Sequence, residues 1–266
     1  MPSNSDAGRA IQRFDVLGLP VSAINMAQAI ETFDTWIRER TPHYACISGV
    51  HGVMESRSDE SLRQIHADAG LVTPDGMPLV WLGRLAGHRH MERVYGPDLM
   101  LACMRHSLDT GATHFFYGGA PGVANTLSAR LTAQFPGLAV VGTYCPPFRA
   151  LTAEEDAAIV DEINASGADF VWVGLSTPKQ ERWMASHVGR LHAPVLVGVG
   201  AAFDFHAGLK PQAPRWMQRN GLEWLFRLAT EPRRLGGRYL VNNPKFVWLT
   251  LVRLCRGVDR RRPLVG

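Results

Sequence analysis

In the segment Leu71-Val-Thr-Pro-Asp-Gly-Met-Pro78, one acid stands between a predicted strand and the helix that follows it. Pro74 stiffens the strand exit and Gly76 permits a tight turn, so Asp75 projects into the crevice where open α/β sheets bind ligands. A carboxylate there can take the proton of an attacking hydroxyl as a general base; an Asp-Gly turn that merely caps the next helix is the alternative. Two further strand-to-helix junctions carry polar or flexible residues. In Phe115-Phe-Tyr-Gly-Gly-Ala-Pro-Gly122, Gly118 and Gly119 let the backbone approach a diphosphate at a helix N-terminus. The run falls short of G-x-G-x-x-G, and a tight turn without a ligand explains it equally well. In Gly174-Leu-Ser-Thr-Pro-Lys-Gln-Glu181, the residues Ser176, Thr177, Lys179 and Gln180 form a dense set of donors for sugar hydroxyls or phosphate. The alternative is a surface helix start with Pro near its first position.

Metal chemistry is not expected. His51, His88, His90 and His206 are isolated from one another and from cysteine, and read as surface or core imidazoles. Cys46, Cys103, Cys145 and Cys255 are dispersed with no Cys-x-x-Cys, which suits packing rather than a disulfide framework or a zinc site. No Asp-x-Asp occurs anywhere, so the carboxylate pair that would hold a cation on a nucleotide diphosphate is missing. We therefore expect no metal and no cofactor.

Positioning these junctions requires alternating strands and helices. Short apolar runs at 14–17, 44–47, 70–73, 114–117, 139–143, 170–174 and 195–199 alternate with helical patterns, the signature of a mostly parallel sheet with crossover helices. Asn25 with Gln28, and Thr152 with Glu155, match the capping box that opens a helix. After Pro214 the strands stop, and helices are predicted at 215–220, 222–230, 232–241 and 245–256. The expected fold class is α/β, a mostly parallel Rossmann-like sheet with flanking helices, plus a basic, apolar helical C-terminal appendage. The expected division is a catalytic domain over 1–213 and an appendage over 214–266.

Charge divides the chain at the same place. Residues 215 to 266 hold twelve Lys and Arg against three acids, whereas the first 214 residues hold sixteen against twenty-one. A basic tail seeks an anionic partner. Trp216, Trp224, Phe226, Tyr239, Phe246 and Trp248 sit among its arginines, a mixture suited to a lipid headgroup boundary; a helical pair packed on the body is the alternative. Residues 1–13 lack the apolar core of a signal peptide, and no window reaches the ~18 apolar residues of a membrane span. The expected location is cytoplasmic, peripheral on the inner face of the plasma membrane. Basic residues interleaved with aromatics also suit nucleic acid, but the density of Trp, Leu and Val favours a bilayer edge, and no nucleic acid partner is expected. For a dinucleotide-binding dehydrogenase, the chain lacks both the full glycine motif and an acid ~20 positions beyond it.

Taken in order, Asp75-Gly-Met-Pro78, Arg93-Val-Tyr-Gly-Pro-Asp-Leu99, Gly118-Gly119, Gly174 through Glu181, Gly198-Val-Gly200 through Gly208, Pro214-Arg-Trp-Met217 and Gly221 through Pro232 resemble the WecG/TagA/CpsF family of bacterial glycosyltransferases, glycosyltransferase family 26. The resemblance implies an inverting, metal-independent transfer from a UDP-sugar donor to a polyprenyl-diphosphate-linked sugar acceptor, with Asp75 as general base. It implies that Arg93, in a segment that includes Gly96 and Asp98, and Gln180, beside Lys179, line the pocket, and that Gly118 and Gly119 belong to the substrate site. It implies that appendage arginines reach the donor diphosphate, with Arg227 and Arg234 at the expected spacing. Gly237 replaces the third, leaving Arg238 displaced by one. Where many members carry Thr-Pro-Asn, this chain has Ile47-Ser48-Gly49, which leaves Ser48 as the polar side chain for donor contact. The following Val50-His51-Gly52 looks like the exopolysaccharide branch typified by GumM and implies glucose as the sugar; an N-acetylmannosamine or N-acetylmannosaminuronate donor is the alternative within the family.

Overall fold

The computed structural model describes residues 11–256. In chain order the elements are β1 (Arg13–Val16), β2 (Leu19–Ser22), α1 (Met26–Glu39), β3 (His43–Ser48), α2 (Val50–Ser58), α3 (Glu60–Asp68), β4 (Leu71–Pro74), α4 (Met77–Leu85), α5 (Gly96–Thr110) and β5 (His114–Gly118). There follow α6 (Val123–Gln134), β6 (Val140–Tyr144), α7 (Ala153–Ser166), β7 (Phe170–Gly174), α8 (Lys179–His187), β8 (Val195–Gly198), α9 (Ala202–His206), α10 (Arg215–Arg219), α11 (Glu223–Thr230) and α12 (Pro232–Cys255).

The expected α/β architecture is present. Six strands form one parallel sheet in the order β4-β3-β8-β7-β5-β6. Helices cover both faces, so every strand but the part-exposed edge strand β6 is largely buried on both sides, and alternate residues enter different cores. Phe116 and Trp172 pack with Phe33, Trp36 and Phe203 on one face, while Phe115, Tyr117 and Val171 pack with Tyr44, Cys46 and Met184 on the other. Cys46 and Cys103 are buried as packing residues. Both capping boxes form, at Asn25 with Gln28 and at Thr152 with Glu155.

Two local expectations change. The strand anticipated at 14–17 lies outside the main sheet, as half of an antiparallel hairpin with β2. Its turn places Leu17 at φ 55 and Gly18 at φ 99. Leucine is uncommon at positive φ, so the pair carries a weak hairpin signal in sequence. The last two tail helices, expected to break near Pro244, form one continuous helix. Pro244 and Leu240 lie on its exposed side, where water can replace the bond that proline cannot donate. α12 packs on α2 and α11, burying Leu235 and Phe246. No described helix is long and apolar enough to cross a membrane.

Because β8 returns beside β3 after the chain has built β5, β6 and β7, the strand order reverses at this point. Ligands of open α/β sheets bind at such reversals, beyond the carboxyl ends of the strands.

Candidate active site

A cavity of about 580 Å³ opens at that edge. Its wall is contributed by the segments after β3 (Gly49 to Gly52), after β4 (Asp75 to Pro78) and after β7 (Ser176, Thr177, Gln180), by β8 and the residues beyond it (Gly198 to Ala202), and by α11 and α12. The N-termini of α2, α4, α5 and α8 all reach this wall. Four helix starts in one place favour a ligand that carries negative charge.

Asp75 is held at the floor. Its backbone N–H donates to the Ser48 carbonyl at 3.0 Å, continuing the β3–β4 ladder past Pro74, so the side chain leaves the sheet edge in a fixed direction. Burial raises the carboxyl above its ordinary value; Arg93 opposes the shift and Glu223 reinforces it, while the Gly96 N–H and Arg227 pull it down. Its Oδ1 has no hydrogen-bond partner among the described residues. A buried, partly unpartnered carboxylate with a raised pKa is suited to take a proton near neutral pH.

Arg93 ties this floor to the appendage. Its Nε donates to the Asp75 main-chain carbonyl and its Nη2 to Glu223 Oε2 at 2.5 Å. The guanidinium lies 3.9 Å from the centre of the Tyr95 ring, and the Tyr95 hydroxyl donates to Glu223 Oε1 at 2.9 Å. Across the cavity Gln180 is buried, with Nε2 donating to Glu181 Oε1 at 3.1 Å and Oε1 lacking a partner among the described residues. Gly198 and Gly200 make room for it: a Cβ on either would stand 3.0 Å from Nε2 or 3.3 Å from Oε1. Glu181 also accepts from Thr177 Oγ1 at 2.8 Å, and burial raises its pKa.

The appendage supplies the cations. Arg227 lines the cavity, 5.8 Å from the Phe205 ring centre, with Nε buried and unpartnered among the described residues. Arg234 lines it too, held by both oxygens of Glu231 at 2.6 and 2.7 Å. The mouth is apolar, with Trp81 and Leu85 of α4 facing Val247 and Leu251 of α12, all exposed.

Asp75, Arg93, Gly96, Gln180, Arg227 and Arg234 are thus brought together from five separate segments. Other expected site residues lie off the wall. Ser48 is buried, its hydroxyl bonded to His66 Nε2 at 3.0 Å. Asp98 pairs with Arg215 at 2.7 Å, and Lys179 is exposed. Gly118 sits at φ 127 where a Cβ would come within 2.7 Å of the Gly174 backbone, and the Gly119 N–H donates to the Gly174 carbonyl at 3.0 Å. This pair serves the close approach of two strand ends. Arg238 falls within α12, but its side chain lies outside the described residues, as do Arg260, Arg261 and Arg262.

Residue reasoning overlooked Glu223, Tyr95 and His51 as parts of the wall. Glu223 stands one helical turn before Arg227, a spacing that puts both on one face, and that signal could have found it. His51 was read as an isolated imidazole; it lines the cavity with Nδ1 3.5 Å from Glu55 Oε1.

Comparison with known proteins adds two findings. The family model described as "Glycosyl transferase WecG/TagA/CpsF family" matches residues 14–260. An N-acetylglucosaminyldiphosphoundecaprenol N-acetyl-beta-D-mannosaminyltransferase from Bacillus spizizenii is 29% identical over 197 residues, covering 74% of this chain and 74% of that protein.

Proposed function

Because the chain belongs to the WecG/TagA/CpsF family and is a glycosyltransferase, we propose that it moves a sugar from a UDP-sugar onto a polyprenyl-diphosphate-linked saccharide, with inversion and with Asp75 as the base. The observation that carries this reading is the buried Asp75 carboxylate, with Oδ1 unpartnered among the described residues, in one cavity with Arg227 and four helix N-termini. The carboxylate suits an acceptor hydroxyl, and the cations and helix starts suit the donor diphosphate.

In this reading residues 1–213 are the catalytic domain and 214–266 an appendage that closes the site. Arg227 and Arg234 neutralise the charge that grows on the departing UDP, the task a metal ion performs in other transferases. Gln180 presents Oε1 to a hydroxyl of the sugar. The exposed Trp81, Leu85, Val247 and Leu251 at the mouth suit the lipid tail of the acceptor and the membrane surface that holds it.

For the donor sugar, the similarity to the Bacillus enzyme favours N-acetylmannosamine and N-acetylglucosamine-diphosphate-lipid as the acceptor. Glucose is a second reading, resting on the resemblance of Val50-His51-Gly52, all three on the cavity wall, to the exopolysaccharide branch. A Cβ on Gly49 would lie 3.5 Å from Asp75 Oδ2, so glycine at this position leaves the space beside the base open. The test is direct. Radiolabelled UDP-N-acetylmannosamine and UDP-glucose are each incubated with the protein and N-acetylglucosaminyl-diphospho-undecaprenol in detergent. Label from the first in the lipid phase supports the main reading, label from the second alone moves the donor to glucose, and label from neither removes this acceptor.

A further inference from the structure

Glu223 has no part in the transfer as described, yet it is the acid that α11 carries into the cavity. Its two oxygens are both engaged, Oε2 by Arg93 Nη2 at 2.5 Å and Oε1 by the Tyr95 hydroxyl at 2.9 Å. The side chains of Arg93 and Glu223 are 15% and 14% exposed. An ion pair so shielded is unlike a solvated surface bridge, because removing one partner leaves a desolvated charge behind. The charge left behind would be Arg93, whose Nε is already bonded to the main chain of Asp75.

We propose that Glu223 is a positioning residue for Asp75: by occupying Arg93, the appendage sets the strength of the catalytic base when it docks. The inference rests on the reading of Asp75 as base.

The physics follows from three charges. Arg93 stabilises the ionised form of Asp75, which makes a weaker base; Glu223 offsets that field and adds its own repulsion. Arg227 also acts on Asp75 from α11. His51 and Arg234 line the same cavity, and they face Glu55 and Glu231 respectively. When α11 is in place, Arg93 is shared between the Asp75 carbonyl and Glu223, and Tyr95 fixes the second oxygen. When α11 lifts away, Glu223 and the smaller, opposing influence of Arg227 leave with it, and Arg93 acts on Asp75 alone. The base is then at full strength only beneath the closed appendage, where the acceptor hydroxyl is held and bulk water is excluded.

The full-length protein is assayed for kcat/KM across pH with lipid-linked acceptor, as wild type and as four variants. In Glu223→Gln the acid limb moves to lower pH by about one unit, and turnover on the plateau falls by up to about tenfold, the most that a base weaker by one unit gives. In the double variant Arg93→Met with Glu223→Gln, the limb returns to the wild-type position or above it, even though binding suffers. Tyr95→Phe gives a smaller shift in the direction of Glu223→Gln. A Glu223→Gln enzyme that is slower with its limb unmoved would show that Glu223 only docks α11, and the proposal fails. A limb that stays displaced in the double variant would show that Arg93 is not the carrier, and again it fails. Asp75→Asn separates this from the parent reading: near wild-type turnover there removes Asp75 as base, whatever Glu223→Gln does.

Discussion

Asp75→Asn removes the charge of the carboxylate and almost nothing else, so it isolates the proton-transfer role. Turnover should fall by about two to four orders of magnitude, the usual contribution of a general base, while UDP binding by calorimetry stays close to wild type. Turnover within tenfold of wild type would refute the assignment. A second residue tests stability instead. His114 is fully buried, its Nδ1 accepting from Trp172 Nε1 at 3.1 Å, and burial lowers its pKa from 6.5 to about 4. The native imidazole stays neutral while the unfolded one binds a proton, so its contribution is complete above pH 6.5 and lost as pH falls toward 4. The full loss is roughly 3 kcal/mol. His114→Asn keeps an acceptor for Trp172 without titrating, and denaturant melts of the variant should show a shallower fall in stability over that window; an unchanged slope would refute it.

Among elements, α12 is the one proposed to close the site, whose wall it lines. Leu235 and Phe246 are its fully buried large side chains among the described residues, and Phe246 packs in the cluster that holds Val53 and Met54 of α2. Phe→Ala in a rigid core costs about 3–5 kcal/mol, but a peripheral helix can detach for less than that. Phe246→Ala should therefore loosen residues 232–255 in hydrogen exchange while the unfolding of the α/β body is unchanged, and transfer should drop because Arg234 moves with the helix. Protection of 232–255 at the wild-type level would show that α12 docks by other contacts.

For the molecule as a whole, charge and apolar exposure coincide on the appendage. Trp216, Leu240, Trp248 and Leu251 are exposed beside a tail in which twelve cations face three acids, whereas the body carries a net excess of acids. Deleting the chain after Pro214 should abolish both binding to anionic vesicles and transfer, and Arg227→Ala should impair transfer while vesicle binding stays nearly intact, since one charge of twelve is lost. A truncated protein still active on lipid acceptor in vesicles would reduce the tail to packing. Transfer should also persist in excess EDTA, because arginines rather than a carboxylate pair stand where the donor diphosphate is proposed to lie. Loss of activity in EDTA restored by Mg²⁺ would overturn that.

Read by itself, the sequence determined the alternation of strands and helices, both capping boxes, the strand-end position of Asp75 and the change of character at Pro214, because each rests on periodicity or on contacts within a few residues. The family match settled the class of enzyme, since ordered motifs over most of the chain leave few alternatives. Which residues share a cavity was decided only in three dimensions. The return of β8 beside β3 joins the segments after β3, β4, β7 and β8, and leaves Gly118 and Gly119, at the end of β5, to pack against Gly174. Ser48 carries a polar side chain at the right place in the chain, yet strand alternation turns it inward to His66. Glu223 and Arg93, 130 residues apart, meet only because α11 folds back onto the loop between α4 and α5. No local rule carries such a pairing, because it depends on α12 docking through the buried Leu235 and Phe246, the latter in the cluster that holds Val53 and Met54 of α2.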